Sequence, residues 1–208
     1  MTVKVLLIGN GAREHSIAEA VRNSPQNPSL FSYIKSNNPG IRSLSKHSEI
    51  GEYDDLAKVT NFANQVKPDF CVIGPEAPLD LGVVDSLARV GIPSIGPTKE
   101  LAKLETSKSF TRLLMEKYNI PGLPEFKVFT SMDGVKEFLY SLDSFVVKPD
   151  GLTGGKGVKV HGEHLEGTED ALKYCEEVLK THPSVIVEER LEGEEFSLQS
   201  FTDGKFVL

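Results

Sequence analysis

Cysteine is scarce in this sequence: Cys71 and Cys175 are the two in 208 residues. Two such residues build neither a disulfide framework nor a metal spacing, and they suit a reducing cytoplasm. Long apolar runs are missing as well, and no stretch approaches the roughly 18–20 residues that a membrane span needs. No charged-then-apolar leader opens the chain, because Val3–Ile8 is of strand length and runs straight into a glycine turn. Positive charge is the minority sign, with 23 Lys and Arg against 30 Asp and Glu and a formal net charge of −7. A chain without a basic field does not collect nucleic-acid phosphates. Obligate disorder is excluded from the other side, since 39% of the residues are hydrophobic. What is left is a globular chain, expected to be cytoplasmic, long enough for one large or two small domains.

Strand-like runs and helical periodicities alternate through the first hundred residues. Strands are predicted at 3–8, 31–35, 70–73 and 92–95. Helices are predicted at about 12–23, with Ile17, Ala18 and Val21 inward, at 56–66 behind an Asp54 or Asp55 cap, and at 81–90. Such alternation implies right-handed βαβ units and a parallel sheet. A glycine stands at the C-terminal end of strand after strand, which is where ligands bind in open α/β sheets. From Thr98 the pattern changes. Two helical stretches, 99–104 and 107–118, lead to the turn Ile120-Pro121-Gly122-Leu123-Pro124, the best linker candidate. Beyond it, strands at 126–129, 145–148, 158–160 and 185–189, helices at 132–141 and 168–180, and a final hairpin at 195–208 suggest α+β with antiparallel strands. The expected division is 1–98, a helical connector 99–124, and 125–208.

Gly9-Asn10-Gly11-Ala12-Arg13-Glu14 follows a strand and opens a helix. The dinucleotide fingerprint requires a third glycine where this chain has Glu14, and no acidic residue follows the second strand to hold a ribose diol. A nicotinamide site is therefore disfavoured. What survives is a turn whose glycines let backbone approach a ligand, whose free N–H groups favour one phosphate, and to which Arg13 adds a charged contact. A tight strand–helix turn with no ligand is the alternative. Gly74-Pro75-Glu76-Ala77-Pro78-Leu79 reads as a rigid loop at the same sheet edge, with Glu76 either a helix-capping charge or a group addressing a substrate hydroxyl or amine.

Lys148-Pro149-Asp150-Gly151-Leu152-Thr153-Gly154-Gly155-Lys156-Gly157-Val158 is the most informative segment. It is not a Walker A loop, because Asp150 stands in place of the first glycine and Gly157 in place of the Ser or Thr. A glycine-rich loop between two strands is a flap whose amides close over phosphates. Lys148 beside it meets phosphate oxygens as a point charge. The run Val187 to Glu195 carries five carboxylates and reads either as a solvated acidic turn or as a hinge holding adenine and ribose.

In this order and spacing, Gly9–His15, Gly74–Leu79, Gly96–Thr98, Leu104–Phe110, Lys148–Val158 and Val187–Glu195 resemble the phosphoribosylamine–glycine ligase family, also called glycinamide ribonucleotide synthetase. These are ATP-grasp enzymes of purine biosynthesis. The resemblance runs over essentially the whole chain. It implies a parallel-sheet pre-ATP-grasp domain followed by an incomplete α+β ATP-grasp domain. Through it, Lys108 and Lys148 match phosphate-binding lysines, Gly151, Gly154, Gly155, Lys156 and Gly157 the flap, Glu188, Glu189 and Leu191 the adenine hinge, and Glu195 the ribose carboxylate. Gly9, Asn10, Gly11, Arg13, Glu14, Gly74, Pro75 and Glu76 would face 5-phosphoribosylamine.

The implied ligands are ATP with Mg2+ or Mn2+, glycine and 5-phosphoribosylamine, with neither nucleic acid nor membrane as partner. Two departures stand out. Asn38-Pro39-Gly40-Ile41 replaces the family's usual Ala-Pro-Gly-Asn, which removes its final asparagine. The family's magnesium ligands and further C-terminal domain have no counterpart, so metal and catalytic residues are expected beyond Leu208. The chain alone is expected to be inactive, or to act with a C-terminal half in trans. A ligase for another acid or amine, and a non-catalytic nucleotide binder, are the rival readings.

Overall fold

The computed structural model describes residues 2–154 and 156–208. The chain divides into two compact units: Met1–Asn119 with Asp150–Gly154, and Ile120–Pro149 with Gly155–Leu208.

In the first unit the elements run β1 Lys4–Ile8, α1 Ala12–Arg22, β2 Ser29–Ile34, α2 Pro39–Leu44, β3 His47–Ile50, α3 Leu56–Val66, β4 Phe70–Ile73, α4 Glu76–Asp80, α5 Val83–Arg89, β5 Ser94–Ile95, α6 Lys99–Thr106 and α7 Lys108–Lys117. All strand pairs are parallel, in the order β3-β2-β1-β4-β5. Because β1 lies at the centre, its side chains are buried on both faces. Val5 and Leu7 pack with Ala18, Leu30, Ile34 and Ile41, while Leu6 and Ile8 join Val59, Phe62, Ala63, Val83 and Leu87 on the opposite face. That two-sided burial is why these strands read as continuous apolar runs. The α3 helix begins where Asp55 accepts from Lys58 N at 2.9 Å, which settles the choice between the two candidate caps.

The periodicity predicts four strands here, and the structure has five. The extra one, β3, is an edge strand of three polar residues and an exposed Ile50, paired on one side only, so no alternation marks it. Helix α2 was hidden in a Pro-Gly pair. Asn38 caps it through Ile41 N, and Pro39 takes the first turn, where its missing N–H costs nothing. The 74–79 segment is not wholly loop, since Glu76–Asp80 forms one short helix behind Pro75. Helix 81–90 shortens to Val83–Arg89, starting from Gly82 in the left-handed region.

The second unit contains β6 Phe126–Phe129, α8 Val135–Ser141, β7 Phe145–Pro149, β8 Lys159–Val160, α9 Thr168–Leu179 and β9 Val185–Glu189. Its sheet is antiparallel, ordered β6-β9-β7-β8. Phe145, Val147, Val185 and Val187 point to one face and pack with Val135, Phe138, Leu139, Ala171, Cys175 and Val178 of α8 and α9. Alternation therefore puts Lys148 and Glu188 on the other face.

The predicted terminal hairpin is not formed as two strands. Phe201 and Leu208 exchange backbone hydrogen bonds at 2.9 Å, and Thr202 bridges Val207, but residues 195–200 have no strand. Phe196 is 87% and Phe206 73% exposed, so the apolar alternation of the segment finds nothing to pack on among the described residues. A lone hairpin without a covered face does not hold a ladder.

Candidate functional site

Ile8 pairs with Ile73, so the loops that leave β1 and β4 emerge side by side. The chain winds from β1 outward through β2 and β3, then returns to the far side of β1 for β4 and β5. The crevice at such a reversal is the place an open α/β sheet offers to ligands.

Glu14 locks the two loops together. It is buried, and its Oε2 accepts from Gly11 N at 2.5 Å, a reach back from the third helical position to the cap. The residue that stands in place of the fingerprint's third glycine is turned under the loops. It fills the space two glycines leave. A Cβ on Gly9 would lie 2.3 Å from Glu14 Cγ, and one on Gly74 would lie 2.3 Å from the same atom. Gly9 also has φ +142°, which side chains rarely adopt. Arg13 crosses above, donating from Nη2 to Glu76 Oε1 at 3.0 Å. Glu76 is held below the usual carboxylate range, first by its own backbone N–H and then by Arg13. Glu76 opens α4 and pairs with Arg13.

Asn10, Gly11, Arg13, Glu14, Lys35, Tyr53 and Pro75 line an open cleft of about 430 Å³. Asn38 Nδ2 donates to Asn10 O at 2.9 Å, and Asn10 Nδ2 to Ser36 Oγ at 2.9 Å, so the loop after β2 braces the first turn. Sequence reasoning missed Asn38, Ser36, Lys35 and Tyr53. Only the strand–helix rhythm pointed to this sheet edge, and the missed β3 and α2 carry or flank them. Glu14 Oε1, buried in the lining of the cleft, has no hydrogen-bond partner among the described residues.

The base of the glycine loop is pinned within the first unit. Asp150, buried, accepts from Ser107 Oγ at 3.3 Å, from Ser109 N at 3.3 Å and from Ser109 Oγ. Lys108 Nζ donates to Gly151 O at 2.8 Å. Ser107 doubles as the cap of α7, accepting from Phe110 N. Gly151 and Gly154 have φ of +93° and +59°; Gly155 lies outside the described residues. In the second unit Lys156 is exposed, while Gly157 is buried with its carbonyl accepting from Tyr174 Oη at 2.8 Å.

Lys148 and Glu188 form an ion pair across β7 and β9, diagonal neighbours on one sheet face. Their side chains are 20% and 6% exposed. The acidic run is thus not one solvated turn. Glu188 is buried and paired, and Glu189 accepts from Glu125 N at 2.9 Å. Leu191 and Glu195 are exposed beyond the end of β9. Among the described residues no group of three or more His, Cys, Asp or Glu is placed to hold a metal ion. No helix is long and apolar enough to cross a membrane among them either.

Comparison with known proteins joins these two halves. Residues 3–105 match the family model described as phosphoribosylglycinamide synthetase, N domain, and residues 106–208 the model of its ATP-grasp (A) domain. Phosphoribosylamine–glycine ligase of Methanothermobacter thermautotrophicus is 46% identical over 211 residues, covering 99% of this chain and 48% of that protein. The crystal structure of the Thermotoga maritima phosphoribosylamine–glycine ligase superposes with a TM-score of 0.77 at 26% identity, over 99% of this chain and 48% of that one. An N5-carboxyaminoimidazole ribonucleotide synthetase solved with ADP shares the fold, with a TM-score of 0.73 at 16% identity over 92% of this chain and 48% of that one. The chain spans about half the length of the relatives it matches.

Proposed function

The chain belongs to the phosphoribosylglycinamide synthetase family, and from that premise we propose that it carries the substrate cleft and much of the nucleotide site of a ligase joining glycine to 5-phosphoribosylamine with ATP. The reaction passes through glycyl phosphate. A carboxylate is inert to an amine until one oxygen becomes a phosphate leaving group, so the protein's work is positioning and charge neutralisation.

The observation that carries the reading is the cleft at the sheet reversal. Two glycine-led loops, the N-terminal end of α1, the Arg13 cation and the Glu14 and Glu76 carboxyls meet there within one unit. A phosphate suits the N-terminal end of α1 and Arg13, and an amine or hydroxyl suits the Glu76 carboxyl. Gly9, Asn10, Gly74 and Pro75 bring the backbone close. For ATP, Lys108, Lys148 and the flap glycines meet the phosphates, and Glu188, Glu189, Leu191 and Glu195 serve adenine and ribose. A neighbour of the same fold solved with ADP supports a nucleotide site as such, and the residue assignments rest on the family resemblance. We assign residues 1–98 to the substrate side, 99–124 to a connector and 125–208 to the nucleotide side. Magnesium or manganese does not fit any cluster described in this chain, so no step is assigned to a metal here. Its ligands, and the groups acting on glycine, belong to the other half of the family's length, whether in the same chain or in trans. Cytoplasmic residence follows from the same reading.

The two-site layout is tested by titration. Lys148→Ala is expected to weaken ATP binding roughly tenfold, as loss of a charged hydrogen bond does, while Arg13→Ala spares ATP and weakens a ribose phosphate. Equal effects of each variant on both ligands would contradict the layout. In a protein extended to the relatives' length, ADP release should depend on glycine and 5-phosphoribosylamine together. Strict dependence on another pair ends the reading.

A further inference from the structure

Asp150 stands at the base of the glycine loop, 7% exposed, with its carboxylate on the start of α7. Its Oδ1 accepts from Ser109 N at 3.3 Å and from Gly151 N at 3.0 Å. Ser107 Oγ lies 3.3 Å from both carboxylate oxygens, and Ser109 Oγ donates to Oδ2. A helix leaves its first N–H groups without intrahelical partners and carries partial positive charge there, so a buried carboxylate is stable in that place. Ser107 caps the same turn by accepting from Phe110 N at 3.2 Å. Lys108 is the residue between the two serines, and its Nζ donates at 2.8 Å to the carbonyl of Gly151, the residue after Asp150. One carboxylate thus holds Lys108 at both ends: the backbone through Ser107 and Ser109, the ammonium through the carbonyl of its own neighbour. All of these residues lie within the first unit.

We propose that Asp150 is a positioning residue for nucleotide phosphate, setting the place of the Lys108 ammonium by tying the start of α7 to the first glycine of the loop. The inference rests on the reading of Lys108 as a phosphate-binding lysine, and it adds the group that aims it. A lysine head is a point charge on a flexible four-carbon stem, so its contribution to binding depends on how much of that freedom is removed beforehand. Asp150 does not itself touch the nucleotide. A carboxylate aimed at a triphosphate would repel it, and here the negative charge is engaged by serine hydroxyls and a helix-start N–H instead. In the sequence Asp150 marks only what the loop is not, since it stands where a Walker A loop has glycine. The reason for an acid there lies 41 and 43 residues earlier, in Ser109 and Ser107.

A double-mutant cycle in ATP affinity tests this, because a residue acting through Lys108 has nothing to act on once Lys108 is gone. Calorimetric titration of the chain with ATP supplies the readout. Lys108→Ala and Asp150→Asn should each weaken ATP binding roughly tenfold, and the double variant should bind about as Lys108→Ala does. Ser109→Ala removes one donor and leaves the carboxylate, so it should give a smaller loss, roughly threefold, that also vanishes without Lys108. It carries the same cycle if Asp150→Asn proves too unstable to titrate. If the Asp150 variant binds ATP as the wild type does, or weakens it by the same factor with and without Lys108, the positioning role is overturned and the carboxylate only holds the fold. If Lys108→Ala leaves ATP affinity unchanged, or the wild type binds no ATP, the phosphate reading of Lys108 falls first and takes this inference with it.

Discussion

Glu14 illustrates how a residue that looks wrong for one ligand is right for the backbone. Its carboxyl takes the volume of two absent side chains and closes a cap, so a fingerprint glycine is replaced without opening the turn. The sequence already disfavoured a dinucleotide at this point, but the inward direction of the side chain depends on Gly74, 60 residues away, and was not legible. Glu76 gives a testable pH dependence at this scale. Its folded-state pKa is lowered, so the stability it contributes is present above the ordinary carboxylate value of 4.5 and fades as pH falls through the folded value. Arg13 is 67% and Glu76 29% exposed at the side chain, so solvent screening limits the contribution to about 0.5 kcal/mol or less. In urea titrations the small gap between wild type and Glu76→Gln should be flat above about pH 5.5 and close on acidification. A gap that widens toward pH 3 would reverse the sign and refute the assignment.

Among the elements, legibility followed burial. Strands β1 and β4 are covered on both faces and were plain as apolar runs. Helix α3 declared its cap and its inward stripe. Strand β3 and helix α2 were not legible, one because an edge strand needs no apolar alternation and the other because a Pro-Gly pair signals a turn as readily as a helix start. The terminal hairpin erred in the opposite sense, since alternation is only half of what a strand requires. The junction of loop and helix gives a further prediction. Gly74→Ala places a methyl 2.3 Å from Glu14 Cγ and 2.4 Å from its Oε1. Relief requires Glu14 to leave its seat and release Gly11 N. The expected cost is about 1–3 kcal/mol, the range for overpacking, read as a lower denaturation midpoint. A midpoint equal to that of the wild type would show that Glu14 is free to move.

At the scale of the molecule, each unit has its own apolar core, and each core holds one of the two cysteines. Cys71 packs with the first unit's α3 and α5 side, and Cys175 with α8. Burial pushes both thiols up to about 12. At pH 8 the thiolate fraction is then on the order of 10⁻⁴, too small for appreciable alkylation of the folded chain. Labelling followed by mass spectrometry should find both cysteines unmodified in native buffer and both modified in denaturant, each reporting on its own core. Early modification of either one in native buffer would contradict the burial described for it.

The first unit is not continuous in sequence. Residues 120–149 belong to the second unit, and then Asp150–Gly154 return to seat against Ser107, Lys108 and Ser109. Expression of 1–119 alone therefore removes the carboxylate that Ser107 and Ser109 donate to, and a clean cut between the halves does not exist in the gene. Synthesis must run past the first strands of the second unit before the first can be finished. Closing that loop of some forty residues costs entropy no nearest-neighbour contact repays, and the contact order of the whole rises accordingly. The stretch that returns to the first unit is also the base of the glycine loop, so one short segment of chain both completes that unit and carries the loop's first glycines.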